Sequence, residues 1–150
     1  MTTSVVSREA IVVKARSYVG TPFVDRGRLP GVALDCVGVP VCVCRDLGLK
    51  PLDFDVTPYT NQPDGRTFIA ECDRHMQRIE RSALQPGDVM VFAVGTLPQH
   101  IGVIGDYPYG GHSIIHANAR ADPPRVIESR LMFSRILRFV AGYSLLGGWF

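Results

Sequence analysis

The spacing of the apolar residues changes near residue 84, and this change limits the possible folds more than any other feature of the chain. In residues 7–19 and 67–81 the apolar residues recur every three or four positions, which is typical of helices with one buried face. Beyond Leu84 they alternate or form short runs between Gly and Pro, which is typical of strands joined by tight turns. Helices followed by neighbouring strands predict an α+β domain, with N-terminal helices packed on an antiparallel sheet of five to six strands. The strands predicted in this way are 89–94, 100–104, 113–118, 125–129 and 136–143.

The chain has 150 residues, of which 46% are hydrophobic and 20% are charged, and this predicts a single domain over residues 1–150 with its own core. Its 16 basic and 14 acidic residues give a net charge of +2, which is too small to predict nucleic-acid binding. No apolar run approaches the roughly 20 residues that a membrane span needs. The first residues lack the apolar segment and cleavage site of a signal peptide, so we expect synthesis in the cytoplasm.

Cys36 is the strongest candidate for chemistry in this chain. Turn-forming residues fill positions 20–31, and the apolar run 37–47 ends at Gly48, a residue type that commonly follows a helix. We therefore expect Cys36 at the N-terminus of a buried helix, where unpaired N–H groups and the helix dipole lower the pKa of a thiol. The thiolate formed in this way is a nucleophile. A buried structural cysteine is the alternative, because burial is the commonest fate of this residue type.

The other three cysteines, Cys42, Cys44 and Cys72, are expected to be buried free thiols in apolar stretches. The chain has no pair of cysteines separated by two residues, and its four histidines do not complete a zinc-ligand pattern with the cysteines. We therefore do not expect a structural zinc site.

Two histidines fall in predicted strands of the sheet. His100 shares a strand face with Gly102 and Ile104, and His116 shares one with Ile114. If neighbouring strands place both imidazoles on the helix-facing side, each can reach the Cys36 helix. His100 would then act as the base that takes the thiol proton, and His116 would orient it. The alternative is that one or both are ordinary sheet histidines with surface or water partners.

Five motifs along the chain, taken in order, give a more specific indication. They are Gly20-Thr21-Pro22-Phe23, Leu34-Asp35-Cys36-Val37-Gly38, Leu84-Gln85-Pro86-Gly87-Asp88-Val89, His100-Ile101-Gly102-Val103 and Ile115-His116-Ala117. Together they resemble the NlpC/P60 family of papain-like cysteine peptidases, which cut bacterial cell-wall peptides. The match covers residues 7–143. The first two motifs are most similar to the phage-type branch, whose members are tail-associated or belong to prophages.

The resemblance implies a circularly permuted papain-like fold and a set of site residues. Cys36 would be the nucleophile, His100 the base and His116 the third polar residue, with no metal or organic cofactor. The family usually has Tyr where this chain has Phe23, which has no hydroxyl to donate to an oxyanion. The backbone N–H of Cys36 would then be the chief oxyanion donor. We expect the substrate to contact Phe23, Asp25, Arg26 and Asp35, although the phage-type His-Gln pair is replaced here.

The resemblance therefore predicts a cysteine endopeptidase that cleaves an amide in peptidoglycan stem peptides, between D-glutamate and the diamino acid. Its expected partners are the stem peptide and phage tail proteins, and it would reach the wall in a virion tail, after lysis or through a dedicated secretion machine. Two alternatives remain open. One is a non-catalytic tail-assembly or peptidoglycan-binding module with the same fold, and the other is a thioester-based acyltransferase or amidase on another substrate.

Overall fold

The computed structural model describes residues 5–56, 65–94, 97–135 and 137–146. Within these ranges the chain forms three helices and eight strands. The helices are α1 (Arg8–Arg16), α2 (Gly38–Asp46) and α3 (Gly65–His75). The strands are β1 (Arg28–Leu29), β2 (Ala33–Leu34), β3 (Gln77–Ile79), β4 (Val89–Val94), β5 (Leu97–Asp106), β6 (His112–Asn118), β7 (Arg125–Arg130) and β8 (Leu137–Ser144). None of these helices is long and apolar enough to cross a membrane.

The predicted antiparallel sheet is confirmed, and it has six strands in the order β3-β8-β4-β5-β6-β7. Strands β4 to β7 follow one another as a meander, and β8 returns to pair with β4 on its other side. β3 then extends the sheet by pairing with β8. The short strands β1 and β2 form a separate hairpin within residues 21–34, which the sequence predicted as a loop.

The first helix forms where the sequence predicts it, and it ends earlier. The Ser7 hydroxyl accepts a hydrogen bond from the Ala10 N–H at 3.0 Å, so Ser7 caps the helix as expected. Ile11 and Ala15 are fully buried against the rest of the core. Arg16 in the last turn reaches the sheet and pairs with Glu128 of β7 at 2.7 Å. This pair fixes α1 across the far strands of the sheet.

The second helix begins later than the sequence predicts. Cys36 and Val37 form a turn, and the helix starts at Gly38. Pro40 therefore lies in the first turn, where its missing N–H costs no helical hydrogen bond. All residues from Gly38 to Cys44 are buried, because α2 packs against α1, β1 and β5.

The third helix ends at His75, although the apolar spacing predicted a helix as far as residue 81. Gln77 to Ile79 pair with Ser144 to Gly142 of β8, so the backbone here finds its partners at the edge of the sheet. This non-local pairing overrides the local helical pattern. Within the helix, Phe68 and Cys72 are buried as the pattern predicted.

The two faces of the sheet carry two separate cores. The larger core joins the three helices to alternate residues of the strands, among them Val91, Ile101, Val103 and Ile115. The smaller core lies on the other face and contains Met90, Phe92, Ile104 and Ile114. The two cores therefore identify the face of the sheet on which each histidine lies.

Candidate active site

Cys36 lies in the turn between β2 and α2, and its sulfur is surrounded by backbone N–H groups. The N–H groups of Val37, of Ile101 on β5 and of Cys36 itself point at the sulfur and favour its thiolate form. The contact with Ile101 is the informative one, because Ile101 directly follows His100. The nucleophile candidate therefore lies beside the strand that carries the base candidate.

The pairing of β5 explains how the sulfur reaches that strand. Ile101 pairs with Val91 of β4 on one side. On the other side, the described ladder between β5 and β6 stops at the pair Val103 and Ile115. Ile101 thus lies beyond the end of this ladder, and the Cys36 turn meets β5 at this point.

The surroundings of Cys36 raise its pKa to about 12, so the predicted lowering of the thiol pKa is wrong. Burial is the largest cause, and the negative charge of Asp35 acts in the same direction. The backbone N–H groups lower the pKa, but their effect is smaller than these two. Cys36 precedes the helix by two residues, and burial outweighs what the helix start contributes. The thiol is therefore neutral at pH 7 and needs a base to remove its proton.

Asp35 is buried, with 2% of its surface exposed, and its carboxylate is bound by the protein itself. One oxygen accepts hydrogen bonds from the Gly38 N–H at 2.8 Å and from Arg28 Nη1 at 2.7 Å, and the other accepts from the Arg26 N–H at 2.8 Å. Asp35 thus caps α2 and holds the turn of Cys36. The expected contact of Asp35 with the substrate stays a prediction, since its carboxylate is bound by the protein.

The glycine after the nucleophile turn is required by close packing. A Cβ built on Gly38 would lie 2.4 Å from the carbonyl oxygen of Gly27 and 3.3 Å from Arg28 Nη1. Any larger residue would therefore push the β1 end of the hairpin away from the start of α2.

His100 and His116 pack against the same ring, Phe92 of β4. The His100 ring stacks on Phe92 with a centroid distance of 5.6 Å, and the His116 ring meets it edge-on at 5.5 Å. The two histidines therefore share a face of the sheet, as the proposed arrangement requires. That face carries the smaller core with Phe92, so the expectation of a helix-facing position is not met. The sulfur of Cys36 contacts the backbone of Ile101, the residue next to His100, so the joint arrangement of Cys36 with the two histidines stays a prediction.

Both imidazoles are held in their neutral form. Burial lowers the pKa of His100, and the positive charge of Arg120 lowers it further. Burial lowers the pKa of His116 to about 4, with His100 as the second cause. A neutral imidazole can accept a proton, which suits the role predicted for His100. The Nδ1 atom of His116 is buried without a hydrogen-bond partner among the described residues, so its orienting role stays a prediction.

The remaining predicted substrate contacts lie in the loop before the nucleophile. Phe23 is half-buried against the larger core, and its backbone forms a bridge with Leu34, two residues before Cys36. Asp25 and Arg26 are exposed, and Arg26 adopts a positive φ of 61°. Asp25 and Arg26 are accessible from solvent, whereas most of Phe23 is used in packing.

An apolar cavity of about 40 Å³ lies directly behind the nucleophile turn, among α2, α3 and β5. Val37 and Ile101 line its side toward Cys36, and Cys72 and His75 line it from α3. His75 is half-buried and meets Phe54 edge-on at 5.4 Å. A space of this size can hold a water molecule.

Two residues of the site were not found from the sequence. Ile101 acts through its backbone N–H, which no residue type signals. Arg28 pairs with Asp35 at 2.7 Å with only 11% of its side chain exposed, yet in the sequence it resembles any charged residue of a loop. The role of Arg28 can be recognised only when the hairpin of β1 and β2 is known, because this hairpin places Arg28 next to Asp35, seven residues later in the chain.

Comparison with known proteins gives matches among solved structures alone. No protein-family model matches the chain, and no curated protein matches it. The NlpC/p60 domain of the peptidoglycan hydrolase SagA is 22% identical with a TM-score of 0.62, over 93% of this chain and 99% of that domain. An NlpC/P60 family protein from Bacillus cereus ATCC 10987 is 18% identical with a TM-score of 0.67, over 96% of this chain and 42% of that protein. NlpC1 from Trichomonas vaginalis is 15% identical with a TM-score of 0.66, over 97% of this chain and 46% of its own.

These likenesses extend over nearly the whole of this chain, and two of the three matched proteins are more than twice as long as the matched part. At 15–22% identity they establish the fold and leave the activity open. The chain thus has the papain-like NlpC/P60 fold that its five motifs predicted.

Proposed function

We propose that this protein is a cysteine hydrolase that cleaves an amide bond in peptidoglycan stem peptides. One observation carries the proposal: the Cys36 sulfur lies against the backbone of Ile101, the residue next to His100, beyond the described pairing of β5 with β6. His116 packs on the same Phe92 ring as His100. A peptidoglycan hydrolase is among the proteins of this fold, which supports the choice of substrate class.

The first half of the reaction is acylation of Cys36. Because the thiol pKa is about 12 and the imidazole of His100 is neutral, the proton moves to His100 as the sulfur attacks the carbonyl carbon. A preformed thiolate and imidazolium pair is not needed. The tetrahedral intermediate then collapses, the C–N bond breaks, and His100 gives the proton to the leaving amine. The product bound to the enzyme is a thioester.

The second half is hydrolysis of that thioester. Neutral His100 takes a proton from a water molecule while the water oxygen attacks the thioester carbonyl carbon. The C–S bond breaks, Cys36 recovers its proton, and the carboxylate product leaves. His116, one strand further on, would hold the imidazole of His100 in place.

Backbone N–H groups are the oxyanion donors in this proposal. The N–H groups of Cys36 and Val37 already point toward the sulfur, so they lie near the carbonyl oxygen of a bound substrate. Phe23 supplies no hydroxyl, and a rate below that of a Tyr-containing site follows from this. The bond that we assign is the one between D-glutamate and the diamino acid, on the strength of the sequence motifs.

The test is mass spectrometry of peptidoglycan of several stem-peptide chemistries after incubation with the protein. Wild type is expected to release new stem-peptide fragments, and Cys36→Ala is expected to release none. Cys44→Ala is a matched control, because Cys44 is a buried thiol of α2 outside the nucleophile turn and this variant should cleave like wild type. Equal release by wild type and Cys36→Ala would show that the proposal is wrong.

A non-catalytic wall-binding module is the second candidate, and the high thiol pKa favours it. A binding module does not need His100 and His116 around one ring, which is the argument against it. Binding of wild type to isolated sacculi without release of any fragment, from any wall chemistry, would favour this candidate.

We also propose that the protein is associated with a phage tail and reaches the cell wall as part of a virion. The support for this is the similarity of the motifs around residues 20–22 and 35–38 to the phage-type branch. Mass spectrometry of phage particles induced from the source strain would test it, and particles that lack this protein would count against it.

A further inference from the structure

We propose that Arg28 is a positioning residue for the reaction, which fixes the nucleophile turn and neutralises Asp35 beside the Cys36 thiol. This inference rests on the proposed hydrolase function, in which Cys36 must lose its proton. It concerns a residue outside the Cys-His-His set, and it is argued from the contacts of the guanidinium group.

Arg28 joins three segments of the chain through one buried guanidinium group. Nη1 donates to Asp35 Oδ1 at 2.7 Å and to the Gly27 carbonyl at 2.9 Å. Nε donates to Asp55 Oδ1 at 2.7 Å, and Nη2 donates to the Val56 carbonyl at 3.1 Å. The planar fork of Arg matches such a set of acceptors in a way that Lys cannot. Arg28 therefore holds the hairpin, the nucleophile turn and the segment after α2 in one arrangement.

The space around the group is closed, so the arrangement has little freedom. The side chain of Arg28 is 11% exposed and that of Asp35 is 2% exposed, so this ion pair is screened little by water. Gly38, at the start of α2, has no room for a Cβ because the Gly27 carbonyl and Arg28 Nη1 lie against it. A movement of Arg28 would shift the residue that follows Val37, and with it the turn that carries the thiol.

The electrostatic part of the inference follows from the position of Asp35. Asp35 precedes Cys36, and its negative charge disfavours the thiolate. Cys72 from α3 also interacts with Cys36, and burial disfavours its charged form. The two histidines lie on β5 and β6, and burial disfavours their charged forms as well. The ion pair with Arg28 offsets the charge of Asp35 where the thiolate develops. Without the guanidinium, Asp35 would oppose ionisation of Cys36 more strongly.

The decisive measurement is the rate at which iodoacetamide alkylates Cys36, followed by mass spectrometry of the Cys36 peptide across a pH series. Arg28→Gln is expected to alkylate about tenfold more slowly than wild type at each pH below the midpoint, as an upward shift of about one pH unit requires. Asp55→Asn is the matched control, because it removes the charge of the Nε partner, leaves an amide oxygen that can accept the same hydrogen bond, and keeps the pair with Asp35. It is expected to alkylate within about twofold of wild type, since the charge beside the thiol is unchanged.

The double variant Arg28→Gln/Asp35→Asn separates charge from shape. It removes both charges, so its alkylation rate is expected to return to within about twofold of wild type. A rate for Arg28→Gln that equals that of Asp55→Asn would overturn the inference. So would an equally slow rate in the double variant, because a loss that survives the removal of both charges reports access to the thiol and not its ionisation.

Asp35→Asn tests the same pair if Arg28→Gln does not fold. The Asn side chain is close in shape to that of Asp35, and alkylation must become faster because the opposing charge is gone, while an unchanged rate would refute the inference. Alkylation needs no substrate, so it is independent of the proposed hydrolase function. A shifted profile without peptidoglycan cleavage by wild type would leave the role of Arg28 intact and refute the hydrolase, and cleavage with an unshifted profile would do the reverse.

Discussion

The nucleophile turn and the histidine pair are held in place by different kinds of interaction. Asp35 receives three hydrogen bonds, two from backbone N–H groups and one from Arg28, so the turn of Cys36 is fixed by charge and direction. His100 and His116 are fixed by ring packing on Phe92, and Nδ1 of His116 has no partner among the described residues. Hydrogen bonds set the direction of a group, whereas apolar packing sets mainly its distance and leaves rotation freer.

This difference suits what each part must do during the reaction. The sulfur must meet a carbonyl carbon at a set angle, while the imidazole must move a proton first to one atom and then to another. A nucleophile turn that is held rigidly and a base that is held by packing satisfy both needs. The variants below disturb one region at a time.

Asp35→Ala is expected to have the largest effect on stability. It removes the partner of the buried Arg28 guanidinium and the cap of α2, and we expect a loss of about 4 kcal/mol in the free energy of unfolding. Urea denaturation would measure it. Asp25→Ala, an exposed residue in the same loop, should stay within about 0.5 kcal/mol of wild type. Similar losses in the two variants would show that the turn is not fixed by Asp35.

Phe92→Ala disturbs the other region, and we expect it to cost about 3–4 kcal/mol because the ring is fully buried. The milder Phe92→Leu should fold and should lower the turnover of peptidoglycan fragments while the alkylation rate of Cys36 stays near that of wild type. Phe139→Leu is a control in the same small core that does not stack on either histidine. Equal turnover by the Phe92→Leu and Phe139→Leu variants would mean that Phe92 does not hold the histidines.

The buried histidines make stability depend on pH in a predictable direction. The pKa of His116 is about 4 in the folded protein and about 6.5 in the unfolded chain, so between these values the unfolded chain binds more protons. The free energy of unfolding therefore falls as the pH falls from 6.5 to 4, by about 3 kcal/mol for His116, and is constant above this window. The lowered pKa of His100 acts in the same direction.

Urea denaturation at pH 7, 5.5 and 4.5 would test this dependence. His116→Gln should flatten it, whereas His112→Gln should leave it as in wild type, because His112 is exposed at the start of β6. If the free energy of unfolding of the His116→Gln variant falls with pH as steeply as that of wild type, the dependence comes from other groups. The carboxylates of Glu128 and Asp106 have lowered pKa values of their own, so their contribution lies further toward acid.

The sequence predicted the sheet well, and the reason is local. In β4, β6 and β7 each short apolar run is bounded by turn residues, so strand limits follow from neighbours in the chain. Features that depend on distant residues were missed, such as the end of α3, where pairing with β8 overrides the helical pattern. The thiol pKa was missed for the same reason, since burial by distant segments outweighs the local N–H groups. The ion pair of Arg28 and Asp35 could not be predicted either, because it depends on the hairpin of β1 and β2.

The smallest expected effect concerns Phe23, which lies beside the nucleophile turn. NlpC/P60 proteins usually have Tyr at this position. The backbone of Phe23 bridges Leu34, so a hydroxyl added by Phe23→Tyr would lie near the turn that carries Cys36. One further donor to the oxyanion is worth about 1 kcal/mol, so we expect kcat to rise severalfold, up to about tenfold. Phe133→Tyr adds the same hydroxyl at an exposed position of the other face and should leave kcat unchanged. A rise for Phe133→Tyr as well, or for neither, would mean that the missing hydroxyl at residue 23 does not limit this site. A rise for Phe23→Tyr alone would show that the rigid nucleophile turn still lacks one donor, which ring packing around the histidines cannot supply.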